Sequence, residues 1–486
     1  MKLGADPGRW AIVWGIACFA TALGLLARAS WWIAHEMEAE WPLPLAAMWG
    51  ALHVEWTVFA TSGLETSAFT LAAFGGYLLL STAPRGESRF APAGYRRIAL
   101  AGCVYGVASL IRPDGPVFVV ICCAWLLGQR DLRAVLLFSA GFLLVWGPPT
   151  AWRVSYYGSI FPNTYYAKSA SLAWWSQGLY YAQTYFTRYW PLLLAFPASL
   201  LVRPLRTVAL ELSLALGYAL YVMRVGGDFM FGRMFIPISP YLLLALERGL
   251  VARWPRRPLA RLGATAAIAL GLLATPSPVV GLEGKGRGVV DERAYYTERR
   301  SGWASESDEA GTRLRRLFDG LPIVVCFYGS EARLVFASHV RTAIECETGL
   351  TDEVVAHQPL AKRGRIGHEK RAPWWYVAHR GTHFVFSDAA RSALELDRRL
   401  PAVYANLSGV RARMLFWDPV IVPQLRSRGA EIPDIPGLID REIAALPSLS
   451  DAEVRDHWDK LNTFYFSRVD DPARERPFRE RLARMH

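Results

Sequence analysis

Long apolar runs recur through residues 1–280 and constrain the fold more than any other feature of the sequence. A helix that crosses the hydrocarbon core of a bilayer needs about 20 consecutive, mostly apolar residues. Several runs are shorter than that and contain Gly or Pro, which is typical of tilted or broken helices around a cavity. The pattern predicts about ten transmembrane helices, near residues 10–28, 44–61, 66–81, 97–111, 115–128, 134–150, 188–203, 207–223, 234–247 and 261–278.

Composition divides the chain into two unlike parts. Overall, 52% of the residues are hydrophobic and 20% are charged, whereas an average soluble domain carries about 25% charge. The charge is concentrated in residues 281–486, where its density is that of a soluble protein. We therefore predict a polytopic α-helical domain over residues 1–280 and a water-soluble domain over residues 281–486.

The predicted soluble domain shows α/β periodicity. LPIVVCFYG at 321–329 and THFVFS at 382–387 are rich in β-branched and aromatic residues and predict strands. Residues 311–319 and 390–400 have apolar side chains at helical spacing. Strands that alternate with helices predict a small parallel or mixed sheet.

The net charge of +12 argues for membrane topology rather than for nucleic acid binding. The basic residues lie in short loops between apolar runs, and such loops are retained on the cytoplasmic side. The basic loops are residues 85–97, 129–133, 203–206 and 247–261. The alternate loops, with residues 63–66, 112–115, 155–168 and 224–233, are then expected outside, as is the C-terminal domain. We expect a multi-pass protein of the plasma (inner) membrane with that domain extracytoplasmic.

The loops expected outside contain an unusual set of polar residues. Ionisable groups near a membrane are costly and tend to be functional. Cations in such a set are suited to bind a phosphate, and a carboxylate is suited to take a proton from an acceptor hydroxyl. The set consists of Glu65, Arg112, Asp114, Asn163, Tyr165, Tyr166, Lys168, Asp228 and Arg233.

Each of these residues also has a structural alternative. Arg112 and Asp114 could form an ion pair at a helix end. Glu65 could cap a helix near the positive end of its dipole. Lys168 could be solvated or extend to lipid headgroups, and Asp228 could serve only the turn that contains it. The functional interpretation is favoured because all the clusters converge on one side of the membrane.

Aromatic residues and cysteines leave further alternatives open. Trp and Tyr near span boundaries predict an interfacial belt, although these side chains also stack on sugar rings; they are Trp31, Trp32, Trp174, Trp175 and Tyr180. Cys326 and Cys346 lie in the predicted soluble domain, where they form either a disulfide or two reduced core thiols. No CxxC motif occurs, so cysteine-based zinc or thioredoxin chemistry is not expected.

The ordered motifs TSGLET, RPDG, FPNTYYAK and GGDFMFGR resemble those of the terminal arabinofuranosyltransferase family of actinobacterial cell walls. That family also includes proteins named flagellar motor control protein ZomB. The resemblance extends into the second domain, through VVDERAYY at 289–296 and GLTDEVVAHQPLAKRGRIGHEKRAP at 349–373. It therefore covers nearly the whole chain.

The resemblance implies a GT-C glycosyltransferase fold and an inverting transfer on the outer face of the membrane. The implied donor is a polyprenyl-phosphate sugar, decaprenyl-phosphoryl arabinofuranose, and the implied acceptor is an envelope glycan such as arabinan. The lipid-linked sugar is the only small molecule implied. Dependence on a divalent metal stays open, because no metal-ligand spacing is diagnostic.

On this interpretation the candidate residues have distinct roles. Asp228, Asp114 and Glu65 are the candidate catalytic carboxylates: Asp228 orients a hydroxyl or a metal, Asp114 holds Arg112, and Glu65 binds a sugar hydroxyl. The candidate contacts of the donor phosphate are Arg112, Lys168 and Arg233. The candidate substrate-binding residues are Asn163, Tyr165, Tyr166, His368, Glu369 and Lys370. For His368, Glu369 and Lys370, the alternative is a solvated loop.

The chain departs from the family pattern at its N-terminal end. The resemblance implies an Asp-Asp pair in the first outer loop, and this pair is absent here. Ten spans with the C-terminal domain outside would also place the N-terminus outside, so either the number of spans is miscounted or one helix is missing upstream. The alternative function is a catalytically inactive scaffold of the same fold or a truncated remnant. A transporter is disfavoured because no internal repeat is visible.

Overall fold

The computed structural model describes residues 6–84, 90–279, 287–291, 303–328, 331–386 and 403–485. The predicted helix at 390–400 and the end of the VVDERAYY motif lie outside these ranges. Contacts divide the chain into two units. The first unit comprises Met1–Tyr165 and Ser169–Tyr295, and the second comprises Tyr166–Lys168 and Tyr296–His486.

The regular elements in the described residues of the first unit are helices, joined by loops. Short 3-10 segments precede α10 and α12, at Trp190–Leu194 and Arg233–Ile238. The helices are α1 (Pro7–Glu36), α2 (Leu45–Ala51), α3 (Val54–Ala60), α4 (Thr66–Ser81), α5 (Pro92–Ile111), α6 (Pro116–Gly128), α7 (Leu132–Tyr157), α8 (Asn163–Ala167), α9 (Trp175–Arg188), α10 (Ala195–Ser199), α11 (Arg206–Val225), α12 (Ser239–Arg253) and α13 (Pro258–Ala274). The last two residues of α8 belong to the second unit.

Four helical segments among the described residues are long and apolar enough to cross a membrane. They are α1, α7, α11 and the continuous segment Arg233–Arg253 that contains α12. Shorter apolar helices are α4, α6, α13 and Trp190–Ser199. The chain is thus a helical membrane protein, and the predicted number of spans stays a prediction.

The span predicted over 44–61 is divided in the structure. The structure has two short helices there, α2 and α3, with a break at Leu52 and His53. His53 has an extended backbone and caps α3, because its ring nitrogen Nδ1 accepts a hydrogen bond from the Trp56 N–H. A capping side chain inside an apolar run ends one helix and starts the next, and apolarity alone does not reveal it.

The predicted helix over 188–203 is also interrupted. Residues there form the 3-10 segment Trp190–Leu194 and the five-residue helix α10. Pro191 and Pro197 lack the N–H that a regular helix would use. In addition, the structure contains the helix α9, which we did not predict. It is amphipathic rather than apolar, with Gln177 and Thr184 buried on its inner face.

Small residues allow close packing inside the first unit. At Gly102 on α5, a Cβ would overlap the Phe138 carbonyl of α7, and at Gly141 on α7 it would overlap the Ala99 carbonyl of α5. Close backbone contact at small residues is how membrane helices associate without a hydrophobic driving force. These contacts hold α5 in place and thereby position the RPDG loop that follows it.

The second unit contains a five-stranded sheet with the order β2-β1-β3-β5-β4. The strands are β1 (Val324–Phe327), β2 (Thr342–Glu345), β3 (Phe384–Phe386), β4 (Tyr404–Leu407) and β5 (Val410–Met414). β1 pairs in parallel with β2 and β3, whereas β5 is antiparallel to β3 and to β4. The strands predicted at 321–329 and 382–387 correspond to β1 and β3, which occupy the centre of this mixed sheet.

Helices cover this sheet, and the predicted helix at 311–319 overlaps the end of α14. The helices are α14 (Trp303–Phe318), α15 (Ala332–Ser338), α16 (Glu353–Ala356), α17 (Trp374–His379), α18 (Ile421–Ser427), α19 (Ile435–Ala445), α20 (Asp451–Leu461) and α21 (Pro472–Ala483). Cys326 on β1 and Cys346 just after β2 form a disulfide, with their Cα atoms 5.9 Å apart. Of the two alternatives for these cysteines, the structure has the disulfide.

Candidate functional site

The RPDG loop connects α5 to α6 through a tight turn. Arg112 caps α5 with an extended backbone, and its N–H donates to the Ala108 carbonyl. α6 begins at Pro116, and proline is favoured at this position because the first N–H groups of a helix have no hydrogen-bond partner within it. Gly115 lies so close to Ser109 that a Cβ would be 2.6 Å from the Ser109 Cα. The turn therefore requires glycine and holds the side chains of Arg112 and Asp114 on the inside of the unit.

The GGD loop follows α11 and depends on glycine in the same way. Gly226 and Gly227 have φ values of 95° and 81°, a left-handed region in which a side chain is strained. A Cβ on Gly227 would also overlap the ring of Tyr181. The buried Asp228 follows directly, so the two glycines turn the chain and direct this carboxylate inward.

The rest of the GGD loop is fixed by hydrogen bonds within the first unit. The Tyr181 hydroxyl donates to the Met230 carbonyl over 2.9 Å and accepts from the Met234 N–H over 3.2 Å. The Phe231 N–H donates to the Val290 carbonyl over 3.0 Å. Val290 belongs to the VVDERAYY motif, so this motif supports the loop that carries Asp228.

Five of the predicted residues form one ionic network, which we call the Glu65 cluster: Glu65, Arg112, Asp114, Asp228 and Arg233. The Arg112 guanidinium donates to both oxygens of Asp114 over 2.9 Å each. The Glu65 Oε1 atom accepts from the Arg233 Nη2 over 2.6 Å and from the Arg112 Nη1 over 3.4 Å. The Arg233 Nη1 also donates to Asp228 over 3.4 Å. Glu65 thus bridges the two guanidinium groups.

The members of the Glu65 cluster differ in their access to solvent. Asp228 is 0% exposed and Asp114 is 3% exposed. The Glu65 side chain is 35% exposed. Because Asp114 and Asp228 are enclosed, Glu65 is the carboxylate of this cluster that a ligand can approach directly.

The formal charges of the cluster sum to −1, because three carboxylates face two guanidinium groups. Burial acts to raise the pKa of Glu65, but Arg233 and Arg112 outweigh it and hold that pKa below its usual value. Burial opposes ionisation of Asp114 as well, and Arg112 lowers its pKa. Both carboxylates are therefore ionised at neutral pH, and each arginine is neutralised by the cluster itself.

Of the structural alternatives for this cluster, the ion pair is present in the structure and the helix cap is not. Arg112 and Asp114 do form the ion pair at the end of α5. Glu65 is the residue before α4, but its side chain makes no capping hydrogen bond to that helix. Its carboxylate is engaged by the arginines instead. The roles in catalysis and binding stay predictions.

Tyr218 is a partner that the sequence did not reveal. Its hydroxyl lies on α11 and donates to the Asp114 Oδ2 atom. A buried tyrosine hydroxyl in an apolar helix needs a polar partner, and that requirement is the signal that could have marked Tyr218. The identity of its partner depends on how α11 packs.

A second set of buried polar residues in the first unit was not predicted from the sequence. The His53 Nε2 atom is 2.8 Å from the Tyr185 hydroxyl, and the Tyr189 hydroxyl donates to the Glu55 Oε1 over 3.4 Å. All four residues are buried. Glu55 approaches Gly232, where a Cβ would be 3.0 Å from the Glu55 Cγ. This group supports the GGDFMFGR loop from the side of α3.

The predicted residues of the second unit form a separate local arrangement. Lys370 is buried, and its ammonium donates to the carbonyls of Tyr166 and Ala356 over 2.7 and 2.5 Å. The Tyr166 ring packs on His357 with centroids 4.1 Å apart. Lys168 lies beside Gly367. Lys370 thereby fixes the short segment 166–168 within this unit.

The solvated-loop alternative is wrong for Glu369 and Lys370. The Glu369 side chain is fully enclosed, accepts from the Gly364 N–H over 3.0 Å and pairs with Arg363 over 3.4 Å. Burial raises the pKa of Glu369 and lowers that of Lys370. His368 is half-buried, and its Nδ1 atom is 3.3 Å from the Ile366 carbonyl oxygen. These contacts shape the loop, and glycan binding by the three residues stays a prediction.

The remaining predicted residues lie on α8. Tyr165 stacks on Phe161 with ring centroids 4.2 Å apart, and Asn163 is the first residue of the helix. Among the described residues of the first unit, the structure joins five predicted residues in the Glu65 cluster, and within the second unit it joins Lys370 to Tyr166. In the described part of the chain, no group of three or more His, Cys, Asp or Glu side chains is placed to hold a metal ion.

Comparison with known proteins points to one kind of enzyme. Over 299 residues, the chain is 28% identical to a "Terminal beta-(1->2)-arabinofuranosyltransferase" of Mycobacterium tuberculosis. It is 29% identical over 240 residues to a protein of the same name from Corynebacterium glutamicum. This chain is similar to terminal arabinofuranosyltransferases. The resemblance of the sequence motifs to that family is thereby confirmed, whereas its extension over nearly the whole chain and the link to ZomB proteins stay predictions.

The similarity is partial. The two alignments cover 49% and 39% of this chain, and 45% and 34% of the respective relatives. The chain thus spans less than half of the length of the curated relatives that it matches. No family model matches the chain, and no solved structure matches it.

Proposed function

We propose that this protein is a membrane glycosyltransferase that transfers an arabinofuranosyl group from a polyprenyl-phosphate donor to an envelope glycan. The observation that carries the proposal is the similarity to two terminal beta-(1->2)-arabinofuranosyltransferases. The helical membrane unit is suited to a lipid-linked donor, because the lipid tail stays in the bilayer. The Glu65 cluster supplies the charged groups that such a donor needs.

The reaction defines what those groups must do. An oxygen of the acceptor forms a bond to the anomeric carbon, and the bond from that carbon to the phosphate oxygen breaks. The acceptor hydroxyl passes its proton to a carboxylate, for which Glu65 is the candidate that a ligand can approach. The donor is a phosphodiester with one negative charge, and the leaving polyprenyl phosphate carries about one more. Groups that bind the growing charge more tightly than the initial charge accelerate such a step.

Arg112 and Arg233 are suited to bind this growing charge. Their guanidinium groups are held close together, because both contact the same Glu65 oxygen. Arginine presents planar donors that match phosphate oxygens. We assign to the donor phosphate the position that the Glu65 carboxylate occupies, so that one anion replaces another between the two arginines.

Asp114 and Asp228 act as positioning residues in this proposal. Asp114 engages one edge of the Arg112 guanidinium through two hydrogen bonds, which leaves Nη1 directed at Glu65. Asp228 contacts the Nη1 of Arg233, whose Nη2 contacts Glu65. Both aspartates are enclosed, and this burial favours a positioning role for Asp228 over direct proton transfer.

We place the second unit on the outer side of the plasma membrane. The positive-inside pattern of the loops supports that orientation. The Cys326–Cys346 disulfide supports it independently, because disulfides persist in oxidising compartments. Lys168, His368, Glu369 and Lys370 then lie on the side of the membrane where a glycan acceptor is available.

A transfer assay with donor binding as a second readout tests the proposal. The purified full chain is mixed with a synthetic polyprenyl-phosphoryl arabinofuranose and an arabinan oligosaccharide, and addition of one pentose is followed by mass spectrometry. We expect Arg112→Ala and Arg233→Ala each to lower transfer by about 100-fold or more. Arg256→Ala, an exposed arginine in the loop after α12, is the matched control and leaves transfer unchanged.

The outcomes of this assay distinguish the transferase from the non-catalytic scaffold. Transfer that survives in both variants would refute the phosphate-binding role of the cluster. Donor binding by the wild-type chain without transfer would instead support the non-catalytic scaffold. Failure of the wild-type chain to bind the donor at all would refute both.

A further inference from the structure

The first unit contains a polar cavity at the end of the helices opposite to the Glu65 cluster. Its volume is about 390 Å³, and its lining includes Ser81, Gln129, Arg206 and Arg248. These residues lie at the last turn of α4, just after α6, at the start of α11 and in the second half of α12. The neighbouring loops are the basic ones, which the positive-inside rule assigns to the cytoplasmic side.

The length of α4 separates the two polar regions. Glu65 precedes its first residue and Ser81 is its last. A helix of 16 residues is about 24 Å long. The same separation holds along α11, which contributes Arg206 to the cavity and, further along, the Tyr218 hydroxyl to Asp114. The cavity is therefore not part of the site already described.

A buried arginine forms the floor of this cavity. Arg248 is 4% exposed, and its Nε donates to the Glu211 Oε1 over 3.0 Å. The Tyr77 hydroxyl donates to the same oxygen over 2.5 Å. The Arg248 Nη1 is 3.6 Å from Glu36, an exposed residue at the end of α1. Glu211 thus holds the guanidinium at its Nε atom, and Glu36, which also lines the cavity, lies at its Nη1 atom.

An apolar cavity adjoins the polar one. Its volume is about 680 Å³, and Trp32 lines both cavities. Leu25, Leu78, Leu79 and Val104 form its apolar walls. A polar cavity and an apolar cavity that share the lining residue Trp32 are suited to the two parts of an amphipathic molecule.

Arginines lie at the rim of the apolar cavity as well. Arg28 and Arg97 line it, and the Arg97 Nη1 donates to the Thr82 carbonyl over 2.8 Å. Together the two linings carry four arginines and one glutamate, Glu36. Trp31 and Trp32 are partly exposed on α1, as is typical of side chains at the level of lipid headgroups. This composition favours an anionic ligand that lies at the membrane interface.

We propose that these two cavities form a binding site for an anionic phospholipid of the cytoplasmic leaflet. The headgroup phosphate lies between Arg206 and Arg248, and an acyl chain follows the apolar cavity past Trp32. Basic pockets between membrane helices on the cytoplasmic side recognise anionic headgroups in this way. The site is independent of the transfer reaction and of the donor, which binds at the other end of the helices.

Native mass spectrometry of the full chain in detergent tests this site, with dioleoyl phosphatidylglycerol as the probe. We expect one tightly retained lipid per chain and an affinity at least about tenfold weaker in Arg206→Glu. Arg206 is exposed at the start of α11, so this variant is expected to fold. Arg256→Glu makes the same change in charge in a neighbouring basic loop, outside both cavities, and is the matched control.

A second variant tests the apolar cavity without a change in charge. Gly75 on α4 lines that cavity, and a Cβ there would be in ordinary contact, 4.0 Å from Val104. Gly75→Leu therefore fills the cavity while favouring the helix. We expect it to weaken phosphatidylglycerol binding by about tenfold, with unchanged elution of the folded protein.

Several results would overturn the proposal. Equal losses in Arg206→Glu and Arg256→Glu would indicate unspecific attraction to a basic surface. Equal affinity for dioleoyl phosphatidylcholine would remove the role of charge. Competition by inorganic phosphate alone would identify a free anion as the ligand, and tighter binding of polyprenyl phosphate than of phosphatidylglycerol would identify a different lipid.

Discussion

Replacement of Glu65 by glutamine tests whether a phosphate competes with the carboxylate for the two arginines. Glutamine preserves the shape of the side chain and a carbonyl oxygen that can accept from Arg112 and Arg233. It removes the negative charge that neutralises them. The net charge of the Glu65 cluster changes from −1 to zero, and an incoming phosphate no longer has to displace an ionic partner.

The size of the effect follows from the distances. Opposite charges about 4 Å apart interact by about 4 kcal/mol at an effective dielectric constant of 20. The two contacts of Glu65 measure 2.6 and 3.4 Å, but its side chain is 35% exposed and solvent screens the interaction. We therefore expect a gain of about 1–2 kcal/mol in phosphate binding, which is an affinity about 5- to 30-fold higher.

Isothermal titration calorimetry with a short-chain polyprenyl phosphate measures this change. Glu40→Gln, at an exposed carboxylate in the loop after α1, is the control and leaves the affinity unchanged. The gain in Glu65→Gln should shrink as salt is added, because screening weakens charge competition. Equal or weaker binding by Glu65→Gln would refute the exchange of one anion for another between the arginines.

Three further changes test the stability of the structure. Asp114→Asn leaves the buried Arg112 without its main ionic partner and should destabilise the protein by about 3–5 kcal/mol. The control Asp308→Asn changes an exposed pair with Arg333 and should cost less than about 1 kcal/mol. Equal shifts of the melting temperature in the two variants would contradict the burial of the Arg112 pair. Reduction of the Cys326–Cys346 disulfide, which closes a loop of 20 residues, should cost about 3 kcal/mol, and the melting temperature of Cys346→Ala should not respond to reductant. Burial lowers the pKa of His383 below its usual 6.5, and the neutral Nδ1 atom accepts a hydrogen bond from the Val324 N–H. The folded protein therefore favours the neutral imidazole, and the resulting stability is present above about pH 6.5 and is lost as the pH falls. Thermal unfolding between pH 7 and pH 5 should therefore depend less on pH in His383→Gln than in wild type or in the exposed control His379→Gln.

Hydrophobic runs predicted the long helices well, and Gly and Pro in the shorter runs indicated broken helices, but the runs did not locate the breaks. The runs at 10–28, 134–150 and 207–223 lie inside α1, α7 and α11. The break between α2 and α3 depends on the His53 cap, which is a matter of local backbone geometry. The helix α9 is amphipathic, and its buried face becomes apparent only when its neighbours are in place.

The sequence predicted which residues form the candidate site but not which of their side chains pair with one another. Charged side chains in alternate loops indicated that Glu65, Arg112, Asp114, Asp228 and Arg233 would converge, because loops on one side of a membrane lie near one another. Which carboxylate stays accessible depends on packing, and so does the contribution of Tyr218. The contact of Lys370 with the Tyr166 carbonyl joins positions 204 residues apart and has no local signal.

A structure with a bound donor analogue is the most direct measurement of the proposed role of the Glu65 cluster. Cryo-electron microscopy of the full chain with a non-transferable polyprenyl-phosphoryl arabinofuranose would locate the phosphate. We predict phosphate oxygens within hydrogen-bond distance of the guanidinium groups of Arg112 and Arg233, with the Glu65 side chain displaced. A donor phosphate bound elsewhere, with Glu65 still bridging the two arginines, would contradict the proposed site.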